Sequence, residues 1–244
     1  LELYDQNELK FCFITDFPLF EWNEDSQKWE SSHHPFTMPH EEYLSNVADN
    51  PGKIREFKTL LAECTLELIS LAELGITDEP PETGHTFEDN AIIKANFYLN
   101  KSSMITLSED SGLEVDVLDG APGVYSSRYG GPGLDDKGRN LLLLNELIKV
   151  GKGPWECRYR SVIAIAIPNE NLKIFDGECH GEIVDVPKGK NGFGYDPIFH
   201  CAVYRKTMAE LLGRDKDMIS HRGIATRKSL EYLNNISESL SAIQ

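Results

Sequence analysis

Two rhythms of apolar residues run along this chain. Residues 104–107 (MITL) form a short apolar run that reads as a buried strand and carries Glu109, Asp110 and Ser111 to its end. Gly112 then lets the backbone turn, and residues 113–117 (LEVDV) alternate as a second, half-exposed strand. Residues 157–167 alternate first and then become solidly apolar, as a central strand would. Pro168-Asn169-Glu170-Asn171 turns that strand into a hairpin partner over 172–179, and 65–69 gives a further strand. The second rhythm is helical. Ile54, Phe57, Leu60, Leu61 and Cys64 fall on one face, and Thr86 with Asp89 makes a capping box for a helix through Asn100. Asp135 or Asp136 caps a helix whose residues 141–144, Leu147 and Ile148 make a broad apolar face. A short helix follows Thr207, and 220–235 forms the last one. Strands and helices in this alternation define an α/β chain.

The first forty-odd residues have another character. Residues 10–15 read as a strand, Asn23-Glu24-Asp25-Ser26 as a turn, and 27–30 as the return of a hairpin. His33, His34 and His40 follow without an acid or cysteine at ligand spacing, which favours a hairpin remnant over a metal cluster. Residues 43–48 (YLSNVA) stand where a first core strand is expected, although Ser45 and Asn46 are polar for that place; the alternative is that 11–15 fills it.

Composition narrows the function. Forty acidic against 24 basic residues give a net charge of −16, which argues against a nucleic-acid-coating surface. An anionic substrate would then need local cations or a metal. Five scattered cysteines without CxxC spacing point to free thiols in a reducing, cytoplasmic setting, and no apolar stretch reaches membrane-spanning length.

Several stretches carry candidate chemistry. Glu109, Asp110 and Ser111 at a strand end suit a divalent cation and phosphate, though acids, serine and glycine are also ordinary turn residues. In the glycine-rich loop 188–196, glycines such as Gly194 let backbone approach a flat ligand, and Phe193 and Tyr195 could stack on a base or equally fill the core. Lys216, His221 and Arg222 gather at the start of the last helix, where three cations in an acidic protein look like an anion site. Asn50 is a good N-cap, so free amides and Lys53 could face a phosphate there. Glu82 and Glu88 flank the Thr86 cap and could each be simply solvated.

The segment 108–131 (SEDSGLEVDVLDGAPGVYSSRYGG) resembles the signature of the inosine triphosphate pyrophosphatase family. So do NPGKIREF (50–57), ETGHTFEDNAIIKA (82–95), GFGYDPIF (192–199) and ISHRG (219–223), in the same order. The resemblance implies a long mixed β-sheet with flanking helices, two lobes around a nucleotide cleft, and a homodimer. It implies Mg²⁺-dependent hydrolysis of non-standard purine nucleoside triphosphates (ITP, dITP, XTP) to monophosphate and pyrophosphate. Asp110 would be catalytic and a metal ligand, with Glu82 as the second metal acid and Glu109 behind it. Asn50, Lys53, Ser111, Phe193, Gly194, Tyr195, Asp196, Lys216, His221 and Arg222 would bind substrate: the two lysines at phosphate, Phe193 on the base, and His221 and Arg222 at its 6-oxo edge. FPLFEW and HHPFT, within 1–42, resemble a fragment of bacterial-type aspartyl-tRNA synthetases, which divides the chain into 1–42 and a pyrophosphatase domain over 43–244. An ATP-dependent ligase and a catalytically impaired fusion remnant are the competing readings.

Overall fold

The computed structural model describes residues 10–13, 20–23, 28–31, parts of 56–76 and all of 78–241; for 10–13, 20–23, 28–31, 67–70 and 238–241 it describes backbone only. Residues 10–15 were expected to hold a strand and 27–30 a hairpin return, and the backbone carries both. Strand β1 is Lys10–Phe13, and β2 (Phe20–Asn23) pairs antiparallel with β3 (Lys28–Ser31) as a separate two-stranded sheet. The main sheet takes in β4 (Glu67–Ser70), β5 (Ile105–Val115), β6 (Trp155–Ala166), β7 (Lys173–Ile183), β8 (Phe199–Cys201) and β9 (Lys206–Thr207). Its order among the described residues is β4-β1-β5-β6-β7-β8-β9, parallel across β4-β1-β5 and antiparallel from β5 onward, so it is a mixed sheet.

β1 sits between β4 and β5, with Phe11 opposite Leu68 on one side and Ile105 on the other. The place reserved for 43–48 is therefore filled by 10–13, the alternative strand, while 43–48 lie outside the described residues. A central position suits Lys10-Phe11-Cys12-Phe13 better than a run containing Ser45 and Asn46, because a strand flanked on both sides by parallel partners is covered on both faces.

One element differs from its expected form. Glu109 to Gly112 do not end a strand: β5 is continuous through them, paired residue for residue with β6, Glu109 with Ile163 and Gly112 with Arg160. Gly112 is needed for close approach, since a Cβ there would lie 2.6 Å from the Gly123 carbonyl oxygen and against Ser126 Oγ. The polar stretch of β5 falls between two apolar clusters, one including Leu107, Ile163 and Ile165 and the other Leu113, Cys157 and Tyr159.

Helix α1 (Phe87–Ser102) opens with the expected capping box of Thr86 and Asp89, and α2 (Asp136–Val150) is capped by Asp135. The apolar face of α2 is narrower than expected: Leu143, Leu144 and Leu147 are buried, while Leu141 and Ile148 are exposed. The last two helices are α3 (Gly213–Ile219) and α4 (His221–Ser241). Gly177 on β7 lets the first turn of α4 lie directly on the sheet, where any side chain would collide with the His221 carbonyl. No helix among the described residues is long and apolar enough to cross a membrane. Cys64, Cys157, Cys179 and Cys201 are free thiols, and burial pushes Cys179 up to about 12.

Candidate active site

Successive residues of a strand point to opposite faces, and that alternation divides the acids of β5. Asp110 faces α1, where it is almost wholly buried. Lys94 Nζ donates to its Oδ1 at 2.9 Å and Asn90 Nδ2 to its Oδ2 at 3.3 Å. Asn90 and Lys94 are one helical turn apart, so α1 presents both donors to one carboxylate. Lys94 also reaches Glu82 Oε1 at 3.2 Å, and Arg128 Nη1 holds Glu82 Oε2 at 3.2 Å. The loop bearing Glu82 is tied to the helix, with Gly84 N–H donating to Asn90 Oδ1 at 2.8 Å. Burial raises the Asp110 pKa; Lys94 pulls it back, Glu82 pushes it further up, and the net direction is up. Burial would lower Lys94, but Asp110 and Glu82 outweigh it and hold the ammonium charged.

Lys94 was not singled out in the sequence. Its signal was position: it lies on the buried stripe of α1 with Phe87, Ala91, Ala95 and Tyr98. A lysine on a core stripe needs a buried partner. Glu88, by contrast, is exposed.

Glu109 and Ser111 face the other way, toward α4. Arg222, 1 % exposed, donates from Nε to Glu109 at 3.1 Å, from Nη1 to Glu56 at 2.6 Å and from Nη2 to Ser111 Oγ at 3.1 Å. Ser161 donates to Glu109 as well. Lys216 Nζ bridges Glu56 at 2.8 Å and Asp196 at 2.6 Å. Burial would raise Glu56, but Arg222 and Lys216 together hold its carboxyl below the ordinary value. This corrects the expectation of three cations at an anion site: Lys216 and Arg222 are matched by Glu56, Glu109 and Asp196. It also moves Glu109 away from Asp110, to the opposite face of the sheet. The lysine beside Asp110 is Lys94.

Loop 188–196 contributes unequally. Phe193 is partly exposed, with Lys216 Nζ 4.6 Å and Arg222 Cζ 5.7 Å from its ring centre. Gly194 (φ +58°) is fastened to α2, its N–H donating to Asp136 at 2.6 Å and its carbonyl accepting from Asn140 at 3.0 Å. Tyr195 fills the core and donates its hydroxyl to the Ser126 carbonyl at 2.8 Å, so it takes the core-filling role and not the stacking one. Asp196 accepts from the Phe193 N–H at 3.0 Å, closing the turn beneath that ring. His221 is buried and stacks on Tyr159. Asn50 and Lys53 lie outside the described residues, as do His33, His34 and His40.

The donor set near Asp110 fits Mg²⁺. Asp110 and Glu82 converge on one ammonium, and Mg²⁺ is held by one or two carboxylates, with water and substrate phosphate completing its shell. Among the described residues no cluster of three or more acids, histidines or cysteines stands ready for a more demanding metal.

Residues 44–232 match the model of the Ham1 family, and the chain belongs to that family. It is 45 % identical over 184 residues to a dITP/XTP pyrophosphatase of Bacillus subtilis, covering 75 % of this chain and 93 % of that one. A dITP/XTP pyrophosphatase of Desulforamulus reducens is 44 % identical over 190 residues, covering 78 % of this chain and 94 % of the relative. Among solved structures, the Ham1 protein of Staphylococcus aureus superposes with a TM-score of 0.69 at 38 % identity, over 77 % of this chain and 96 % of its own. A HAM1 protein from Coxiella burnetii gives 0.71 at 37 % identity, over 78 % and 96 %. The inosine triphosphate pyrophosphatase resemblance and the flanked mixed sheet expected with it both hold.

Proposed function

We propose that this chain is a hydrolase that cleaves the α–β phosphoanhydride bond of non-standard purine nucleoside triphosphates, dITP and XTP foremost, to the monophosphate and pyrophosphate. The observation that carries the reading is the buried pair of Asp110 on β5 with Lys94 on α1, with Glu82 beside it. Asp110 takes the proton of the attacking water as its oxygen bonds to the α-phosphorus and pyrophosphate departs. Burial and Glu82, which raise its pKa, bring the carboxylate closer to the basicity this step needs. Lys94 orients Asp110 and offsets the charge gathered there. Asp110 and Glu82 would hold Mg²⁺, which would supply charge screening of the triphosphate and polarisation of the α-phosphorus.

Phe193 stacks on the purine, and Lys216 and His221 donate toward its 6-oxo edge. Arg222, engaged with Glu56, Glu109 and Ser111, braces that nest. Asn50 and Lys53 keep their proposed places at the phosphates and Ser111 at the ligand. Adenine offers an amino group where these substrates offer an oxygen, and a buried donor left unpaired rejects it strongly. The enzyme acts on the cytoplasmic nucleotide pool as a homodimer, the latter checked by sedimentation. Residues 1–42 are a synthetase-derived segment whose strand has been taken into the sheet.

The assay is pyrophosphate release from dITP, XTP and dATP with Mg²⁺ and with EDTA. Release from the first two in Mg²⁺ alone supports the proposal; Mg²⁺-independent release, or orthophosphate as the product, overturns it.

A further inference from the structure

Tyr159 stands in the middle of a column of three rings. On one side its ring stacks on Phe199, centres 4.3 Å apart and 17° from parallel; on the other it stacks on His221, 4.8 Å and 19°. It is buried on β6, and its hydroxyl donates to Asp196 Oδ1 at 3.2 Å. The other oxygen of Asp196 accepts from Lys216 Nζ at 2.6 Å and from the Phe193 N–H at 3.0 Å. One side chain thus touches the ring of His221 and the carboxylate that places both Lys216 and Phe193. Those three residues are the ones proposed to meet the purine.

We infer that Tyr159 is a positioning residue for base recognition: its ring sets the plane of His221, and its hydroxyl, through Asp196, sets Lys216 and Phe193. This rests on the proposed reading of that nest as the base site. The two constraints are shared through one side chain. A histidine at the first turn of a helix can turn about two side-chain bonds, and a parallel ring beneath it removes most of that freedom before substrate arrives. Asp196 has four lone-pair sites, and its three donors come from β6, the glycine-rich loop and α3. Tyr159 is the donor drawn from the rigid sheet, so it references the loop and α3 to the same strand ladder that carries Asp110 on β5. Discrimination at the base and chemistry at Asp110 are thereby registered to one another without sharing a side chain.

The decisive variant is Tyr159→Phe, which keeps the column of rings and removes only the hydroxyl. It should raise KM for dITP by about threefold to tenfold, the scale of one hydrogen bond, with kcat within about twofold of the parent. The dITP/dATP ratio of kcat/KM should fall by a similar factor. Tyr159→Leu removes the column as well and should lower that ratio further, so that Tyr159→Phe acts as its partial rescue. Thermal melts accompany both variants. A folded Tyr159→Phe with unchanged KM and ratio overturns the inference, as does a fall in kcat alone. A Tyr159→Phe protein that fails to fold overturns it too, by making the residue purely structural. The parent is measured first: if it shows no preference for dITP over dATP, the functional reading falls and takes this inference with it. A parent with the preference and an unmoved variant sinks the inference alone.

Discussion

Asp110 and Glu109 are neighbours in sequence and occupy different worlds. Asp110 faces α1 and meets one lysine, one amide and, through that lysine, a second carboxylate. Glu109 faces α4 and is enclosed in a nest where Arg222 and Lys216 are matched by three carboxylates. The first face is poised: two acids crowd one ammonium, and the pKa of Asp110 is raised by burial and by Glu82. The second is braced: Glu56 is held below its ordinary value despite its burial. Strain of the first kind suits chemistry, and satisfaction of the second kind suits the fixed geometry that base selection requires. One strand supplies both because its side chains alternate.

Both faces hang on β5, and the largest perturbation removes its edge. Deleting residues 1–14 takes β1 from between β4 and β5 and leaves both with unpaired backbone groups. The truncated chain should lose its cooperative thermal transition and all activity; a truncation that melts like the parent would show that β1 is dispensable and both faces self-supporting.

Asp110→Asn should separate the faces. Turnover of dITP should fall roughly 10²–10⁴-fold, the cost of losing a general base, while the protein stays folded and still binds nucleotide. Retained turnover would remove Asp110 from the chemistry. Arg222→Ala should do the reverse. It leaves Glu109 and Glu56 buried without their main counter-charge, which costs about 3–5 kcal/mol and lowers the melting temperature by on the order of ten degrees. A variant that melts with the parent but has lost the dITP/dATP preference would show that Arg222 reads the base and does not brace the nest.

Glu56→Gln gives the smallest effect and a pH signature. The folded pKa of Glu56 lies below its unfolded value near 4.5, so its carboxylate contributes stability that is fully present above that value and is lost as pH falls through the depressed folded pKa. The difference in melting temperature between parent and Glu56→Gln should therefore be widest at neutral pH and close progressively below about pH 4.5. A gap that stays constant across that range would mean the carboxylate charge plays no part.

Much of this was legible in the sequence. The capping box at Thr86, the cap at Asp135 and the hairpin after Pro168 follow from local chemistry and formed where the residues put them. The family was carried by motif, as was the proposed role of Asp110. Two things were hidden for physical reasons. A strand that passes buried acids looks like a strand that ends, because acids and glycine are turn residues until a ladder and a lysine on another element satisfy them; hence the break expected at Gly112 and the overlooked Lys94. The cations Lys216 and Arg222 looked available because their partners Glu56 and Glu109 are 160 and 113 positions away, and pairing over such distances leaves no local pattern. Leu141 and Ile148 erred in the other direction: apolar composition alone does not say which stripe of a helix meets the core.

Competition between two nucleotides separates the possibilities. Equimolar dITP and dATP are given to the parent protein in Mg²⁺, and nucleotides and phosphates are resolved chromatographically over time. dITP should be converted to dIMP, with one pyrophosphate released per molecule, before dATP is appreciably consumed. Equal consumption of the two, or the appearance of dIDP and orthophosphate, would contradict it.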